Sequence, residues 1–440
     1  MPPTHASAAI LSVGDELTLG QSLDTNARWL AARLVDLGVT PLEHVTVPDD
    51  LDAHAAALTR LAPRVDLIIS TGGLGPTRDD LTREAMARAM NDTLVVDPMA
   101  LAHLEAWYAA RGRDVPEGSR TQAMRPSRAS ILPNPHGTAP GLAGAIAGGA
   151  DVFCMPGPPR EMTPMFEAHV APRITPRAVV RTRVLHTFGV AESDLAARLG
   201  PLMRRDAVAK GEPMVGTTAS AGSVSVRMRC EGAPTPAEAE ARLDACERAC
   251  RDAAGAYVFG TGSDTLAGVV LAHLRARGQT VGCVESCTGG LVSTMLTDEP
   301  GSSAAFIGSL VSYSNGLKSS LVGVPASLLL PPGPGAVSAE TARAMAAGGL
   351  RALACDHCLA VTGIAGPSGA VPARDGRPAK PVGTVFIARA DASQPDDPDV
   401  REFAFPGERG SIREWSARTA LAMLWQHLAG LPPLTLLRQK

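Results

Sequence analysis

Three times in this sequence a short apolar run passes directly into a glycine-rich turn. Val65–Ser70 (VDLIIS) leads into Thr71-Gly72-Gly73-Leu74-Gly75-Pro76, Thr280–Val284 into Glu285–Gly290, and the run ending at Val361 into Thr362-Gly363-Ile364-Ala365-Gly366-Pro367. A continuous apolar strand must be covered on both faces, and helices alternating with such strands supply the cover. The pattern predicts an α/β chain with parallel sheets. It also places close-approach loops at the strand ends where such sheets bind ligands.

At about 100–200 residues per domain, 440 residues divide into three blocks. Residues 1–171 alternate strand-like segments (Ala8–Val13, Val65–Ser70, Ile146–Met155) with helical ones. Thr25–Leu37, for example, carries Trp29, Leu30, Leu34 and Leu37 at helical spacing. Residues 172–260 read as a small α+β module. Val224, Val226, Met228 and Cys230 alternate along a half-exposed strand, and Thr235-Pro236-Ala237-Glu238 opens a helix. Residues 261–440 return to α/β, from a helix over Thr265–Arg277 to a closing helix over Ser411–Gly430. Asp391–Val400 (DASQPDDPDV) is expected to be a surface loop.

Composition excludes several function classes. The formal charge of −3 lacks the basic excess of a direct nucleic-acid binder. Aromatics at 3% argue against stacking platforms for single strands. No apolar run approaches the ~18 residues of a membrane span, and no basic region precedes the first apolar run, so a cytoplasmic protein with no membrane partner is expected. The eight cysteines are expected to be reduced, with Leu243, Cys246 and Cys250 on one helix face. Cys355-Asp356-His357-Cys358 has a metal-like spacing but no second Cys/His pair to complete a site.

The turn at 71–80 (TGGLGPTRDD) combines glycines with a following helix N-terminus, an arrangement that cradles phosphate through Gly72, Gly73 and Gly75. Asp79 and Asp80 suit a divalent cation bridging phosphates. A tight turn with two helix-capping aspartates is the competing reading. In the last block, Ser286 in Glu285-Ser286-Cys287-Thr288-Gly289-Gly290 presents a hydroxyl near a helix N-terminus, where a nucleophile or a plain N-cap would stand. Cys287 is the rival nucleophile. Only four of the 41 basic residues are lysines (210, 318, 380 and 440), and only an amine can lose its proton near neutral pH. Lys318, in Val311-Ser312-Tyr313-Ser314-Asn315-Gly316-Leu317-Lys318, is therefore a general-base candidate for a serine. Ser303 is a second hydroxyl candidate, and Arg409 is a fixed cation for a phosphate.

The ordered set Gly14-Asp15-Glu16-Leu17, Gly20-Gln21, Asp24-Thr25-Asn26, TGGLGPTRDD, Asn134–Gly141 (NPHGTAPG) and Pro156–Met162 (PGPPREM) resembles the molybdopterin-binding-type domain of the CinA family of competence/damage-inducible proteins. The set ESCTGG, GSS, VSYSN with Lys318, GAVS, TGIAGP, KPVGTV and Gly407-Glu408-Arg409 resembles that family's nicotinamide mononucleotide deamidase domain. The resemblance implies a three-layer N-terminal domain and a C-terminal α/β deamidase domain, joined by the small module. It implies hydrolysis of nicotinamide mononucleotide to nicotinate mononucleotide and ammonia, without a cofactor. Ser286 would attack and Lys318 would act as base, with Tyr313 and Ser303 assisting or competing. Thr288, Gly289, Gly290, Asn315, Thr362, Gly363 and Arg409 would bind substrate, the turn amides near Thr288–Gly290 serving as oxyanion donors. For the N-terminal domain it implies metal-dependent ADP-ribose cleavage, and for the whole a homodimer. A non-catalytic nucleotide-binding scaffold in competence or DNA-damage response is the alternative. Departures from the family pattern are Gly316-Leu317, Pro331–Pro334 and a longer stretch over 368–379.

Overall fold

The sheet that carries the first glycine loop is built around Ser7–Val13 (β1), paired in parallel with Thr40–Val47 (β2) on one side and Leu67–Thr71 (β3) on the other. A two-stranded excursion, Leu94–Val96 (β4) with Met124–Pro126 (β5), precedes Ser130–Leu132 (β6), Gly141–Ala145 (β7) and Asp151–Met155 (β8). The six-stranded order is β2-β1-β3-β8-β7-β6, parallel through β8 and antiparallel beyond it. The computed structural model describes all residues except 1–3, 147–148, 177–178, 205, 208–210, 221, 373–378 and 433. Half of the longer stretch at 368–379, residues 373–378, lies outside the described residues.

Two compact units form. One comprises Met1–Thr182, Val208–Glu212 and Arg229–Leu243; the other comprises Arg183–Ala207, Pro213–Met228 and Asp244–Lys440. In the first, alternate strand residues face opposite sides. Leu11, Ile68 and Val152 pack against helices Leu51–Leu61 and Thr82–Ala89, while Ile10, Leu67, Ile69 and Phe153 pack against Thr25–Asp36 and Pro159–Met165. This gives the three layers.

That packing traps one titratable group. His54, on the helix Leu51–Leu61, is 1% exposed, and neither ring nitrogen has a hydrogen-bond partner among the described residues. Burial holds its pKa down at about 4. The unfolded chain therefore takes up a proton at about pH 6.5 that the folded chain refuses until about pH 4. Stability should fall by about 3 kcal/mol as pH drops through that window. Urea titrations from pH 7 to 4 should show His54→Leu losing that share of the slope.

Residues 179–261 contribute a four-stranded sheet: Val179–Phe188 (β9), Met214–Ser220 (β10), Ser223–Ala233 (β11) and Val258–Thr261 (β12), in the order β10-β11-β9-β12. The expected alternation holds in β11, where Val224, Val226, Met228 and Cys230 are all buried. The helix Pro236–Ala254 follows, with Thr235 Oγ1 accepting from the Glu238 amide at 3.2 Å.

The last sheet runs Phe306–Val311 (β14), Val281–Glu285 (β13), His357–Gly363 (β15), Thr384–Asp391 (β16) and Gln394–Ala404 (β17). Its first three strands are parallel and the last two antiparallel. Helices Leu266–Arg277 and Arg409–Leu428 cover one face and Ala339–Leu353 the other. The segment Asp391–Val400 is not a loop. Only Ala392 and Ser393 turn, and β17 starts at Gln394 as an edge strand whose first four residues are exposed. An edge tolerates prolines and aspartates that a central strand would not, because their missing donors and polar side chains face water. Among the described residues, no helix is long and apolar enough to cross a membrane.

Candidate active sites

In the last sheet β13 is followed by β14 on one side and, after a crossover, by β15 on the other. The strand order therefore reverses at β13, and a crevice opens at the carboxyl ends of these strands. Two backbone links draw the ends together, the Ser286 amide donating to Val361 O at 3.0 Å and the Ser312 amide to Glu285 O at 2.9 Å, and the Gly289 amide closes the turn on Ser286 O at 3.1 Å. Ser286 tops β13, Thr362 and Gly363 end β15, and Lys318 follows β14 in the helix Asn315–Val322.

Lys318 Nζ lies 3.0 Å from Ser286 Oγ. The same nitrogen donates to Ser312 O at 2.8 Å and to Tyr313 O at 3.2 Å. Lys318 is 1% exposed, and no carboxylate forms an ion pair with it among the described residues. Burial lowers its pKa from the ordinary lysine value, and the positive end of its own helix acts in the same direction. A neutral amine has two N–H bonds. Two carbonyls accept them, so the lone pair faces the Ser286 hydroxyl. That is the geometry of a base and its nucleophile. Cys287 is a poor rival, since burial pushes its thiol up to about 12 and the thiolate is the reactive form.

The carboxylate of Glu285, fully buried, organises the turn. Its Oε2 accepts from the amides of Gly290 (2.9 Å) and Val292 (3.2 Å), and its Oε1 from the Ser293 amide (3.0 Å), Ser293 Oγ (2.5 Å) and Ser309 Oγ (3.3 Å). The Ser286, Gly289 and Gly290 amides are thus engaged within the protein, which leaves Cys287 and Thr288 as the turn residues whose amides have no backbone acceptor among the described residues. Gly289 and Gly290 serve instead as left-handed turn residues, at φ 57° and 96°.

The remaining sequence candidates fall at different distances from this pair. Tyr313 is 59% exposed, and its hydroxyl accepts from Arg409 Nη2 at 3.2 Å, while Arg409 Nη1 holds Gly366 O at 2.9 Å. Asn315 is exposed at the first turn of the Lys318 helix. Thr362 Oγ1 donates to Ala336 O at 2.7 Å. Ser303 is not brought to Lys318. It precedes β14, whereas Ser286 follows the parallel β13, which puts the two at opposite ends of the sheet, on the order of 15 Å apart along the strands. Arg413 escaped the sequence reading. It stands one helical turn after Arg409, and its Nη2 donates to Thr288 O at 2.7 Å. The i, i+4 spacing from Arg409 is the signal that finds it.

The first unit repeats the topology. Strand order reverses at β1, and a cavity of about 380 Å³ opens beside β1, β3 and β8. Gly72, Gly73 and Gly75 line it. A Cβ on Gly72 would lie 2.3 Å from Val13 O, at a φ of +106°, so the close approach requires glycine there. Asn26 Nδ2 donates to Gly157 O at 2.7 Å and to Thr71 Oγ1 at 3.2 Å, and Asn134 Nδ2 donates to Glu161 Oε2 at 2.8 Å. These bonds tie the dispersed motif segments together. Asp80 lines the cavity, and its Oδ2 accepts from the Thr77 amide at 2.8 Å. Asp79 is exposed and lies outside the lining. Glu16, Asp49 and Glu161, none of them singled out as ligands from sequence, line the cavity with Asp80. The Asp49 carboxyl is held above its usual range by burial and by repulsion from Asp15, Glu16 and Asp79, against a backbone hydrogen bond at Asp15.

Comparison with known proteins finds three successive matched stretches in the chain. Residues 9–176 match the probable molybdopterin binding domain, residues 182–260 the damage-inducible protein CinA KH domain, and residues 263–428 the CinA C-terminal domain. A CinA-like protein of Frankia casuarinae is 43% identical over 434 residues, covering 97% of each chain. A CinA-like protein of Geobacter sulfurreducens is 40% identical over 424 residues, covering 96% of this chain and 98% of its own. The crystal structure of the protein CinA from Thermoplasma acidophilum is 34% identical over 39% of this chain and 99% of its own, with a TM-score of 0.37. With full-length relatives at this identity, and with matching domains in the same order, the chain belongs to the CinA family.

Proposed function

We propose that the second unit is an amidohydrolase that converts nicotinamide mononucleotide to nicotinate mononucleotide and ammonia. The observation that carries this reading is the 3.0 Å approach of the buried Lys318 amine to Ser286 Oγ, with both amine hydrogens directed to carbonyls. Ser286 Oγ attacks the carboxamide carbon as its proton passes to Lys318. The tetrahedral intermediate collapses when Lys318 returns that proton to the departing nitrogen, releasing ammonia and leaving an acyl ester on Ser286. Water, deprotonated by the same amine, then hydrolyses the ester. The Cys287 and Thr288 amides are the turn donors suited to the developing oxyanion. The exposed Tyr313 ring suits the pyridinium face, and Arg409 and Arg413 suit the ribose phosphate. The test is ammonia release from nicotinamide mononucleotide by the purified full chain, beside Ser286→Ala. Release that vanishes in the variant supports the reading. Release that persists removes Ser286 as nucleophile, and none from folded wild type leaves the non-catalytic scaffold reading in its place.

The four carboxylates and glycine loop of the first unit favour a second activity, metal-dependent cleavage of ADP-ribose. Glu16, Asp49, Asp80 and Glu161 line that cavity with carboxylate oxygens, the donor type a hard divalent cation takes. Such a cation neutralises charge on a pyrophosphate under attack, while the glycine loop approaches the phosphates. AMP formation from ADP-ribose should stop in chelator and fall at least tenfold in Asp80→Ala. Asp79→Ala, outside the lining, should stay within about threefold. Equal losses in the two variants would contradict the role given to Asp80.

A further inference from the structure

The run Cys355-Asp356-His357-Cys358 takes part in neither site described above. Cys355 and Cys358 pack into the apolar face beneath the helix Ala339–Leu353. His357 opens β15 on the other face. It stands directly across from Asp391, the last residue of the antiparallel β16. The helix Arg409–Leu428 brings His427, in its last turn, over the same spot, with its ring centroid 5.4 Å from that of His357.

One oxygen joins the three. Asp391 Oδ2 lies 2.9 Å from His427 Nε2 and 3.5 Å from His357 Nδ1, and the three ligand atoms all fall within 4.8 Å of one another. Zinc bonds of about 2.0–2.1 Å at tetrahedral angles set neighbouring ligand atoms about 3.3 Å apart, which these separations bracket. The other carboxylate oxygen, Oδ1, accepts from the Ser393 amide (2.9 Å) and Ser393 Oγ (2.7 Å). Ser393 thereby orients the carboxylate from outside the ligand set, as metal-ligand partners do. His357 is 1% exposed, and neither of its ring nitrogens has a hydrogen-bond partner among the described residues. Buried polar atoms are seldom left so. His427 is 38% exposed, so solvent can reach a fourth position. The negative end of the helix favours a cation. Arg389 Nη1, 3.9 Å from Asp391 Oδ2, and Arg277, which donates to the Leu428 carbonyl, oppose one. Their charge disfavours a hard ion held by attraction alone more than a borderline metal bonded to two imidazoles.

We propose that His357, Asp391 and His427 form a binding site for a zinc-class divalent cation, which clamps the closing helix to the ends of β15 and β16. The site lies at the opposite end of β15 from Thr362 and takes no part in the amide chemistry. The test uses tag-free full-length protein, stripped with chelator and held in excess magnesium to occupy all-oxygen sites. Zinc is then titrated against a chromophoric indicator, and cobalt is added separately for its visible spectrum. Wild type and the control His44→Ala should bind one zinc equivalent at least tenfold more tightly than His427→Ala or Asp391→Asn. Zinc should raise the melting temperature only where that site is intact, and cobalt should give tetrahedral absorption only there. Equal zinc affinity and stoichiometry in wild type and both site variants would overturn the proposal. The readout does not use catalysis, so its failure and a failure of the deamidase reading are separate results.

Discussion

Lys318→Met should lower kcat for nicotinamide mononucleotide deamidation by about 10²–10⁴-fold, the range expected for losing a positioned base. Methionine fills a similar volume in a site that is 1% exposed, so the loss reports chemistry and not unfolding. Lys318→Arg should be equally inactive, because a guanidinium does not give up its proton. The pH profile carries the sign. Only the neutral amine can accept the Ser286 proton, so kcat/KM must rise with pH and level off once the amine is deprotonated. Burial lowers that pKa, so the plateau should arrive below the ordinary lysine range. The double variant Ser286→Ala, Lys318→Met should be no worse than either single change, since the pair acts as a unit. A Lys318→Met enzyme keeping a tenth of its activity, or a wild-type profile flat from pH 6 to 9, would remove Lys318 from the mechanism.

Glu285→Ala should destabilise the second unit by on the order of 4 kcal/mol, measured by urea unfolding. The substitution strands three backbone amides and two hydroxyls that now share one buried carboxylate, and each orphaned donor costs about 1–3 kcal/mol, although the losses do not add fully. Glu285→Gln retains acceptor capacity at one atom and turns an amide donor toward other donors, so it should fall between wild type and Ala. Stability within about 1 kcal/mol of wild type in Glu285→Ala would mean that the turn finds other acceptors. Activity should fall with the turn, because Ser286 is its first residue.

The serine and lysine of the candidate site were legible because their residue types are informative. A serine at a strand-to-helix turn and one of four lysines in an arginine-rich chain stand out before any fold is known. Glu285 stood in the same motif and drew no role, because a carboxylate at a strand end reads as solvated until Ser309 of β14 and the Ser293 turn close over it. In the first unit, Asp79 and Asp80 are adjacent and looked alike, yet the turn that locks Asp80 to Thr77 leaves its neighbour outside the cavity. Glu16, Asp49 and Glu161 are far apart in sequence. They line one cavity only because the strands they follow, β1, β2 and β8, end side by side with β3 in the sheet, an order that no local pattern encodes. Ser303 misled for the converse reason, since proximity in sequence to Lys318 says nothing about which end of a parallel strand a residue occupies.

The edge strand β17 sets how this chain behaves in a crowd of its own copies. An open sheet edge is a template for another chain, and a flat apolar one seeds aggregation. Here Pro395 and Pro398 interrupt the row of amide donors, Asp396, Asp397 and Asp399 add like charge, and the C-terminal segment covers the far end through Ala404 to Arg438 O (3.0 Å) and Lys440 to Glu402 O (2.9 Å). The acidic, proline-bearing stretch that mimics a loop acts as a gatekeeper. It keeps concentrated chains from zipping sheet to sheet along that side, at no cost to the core beneath it.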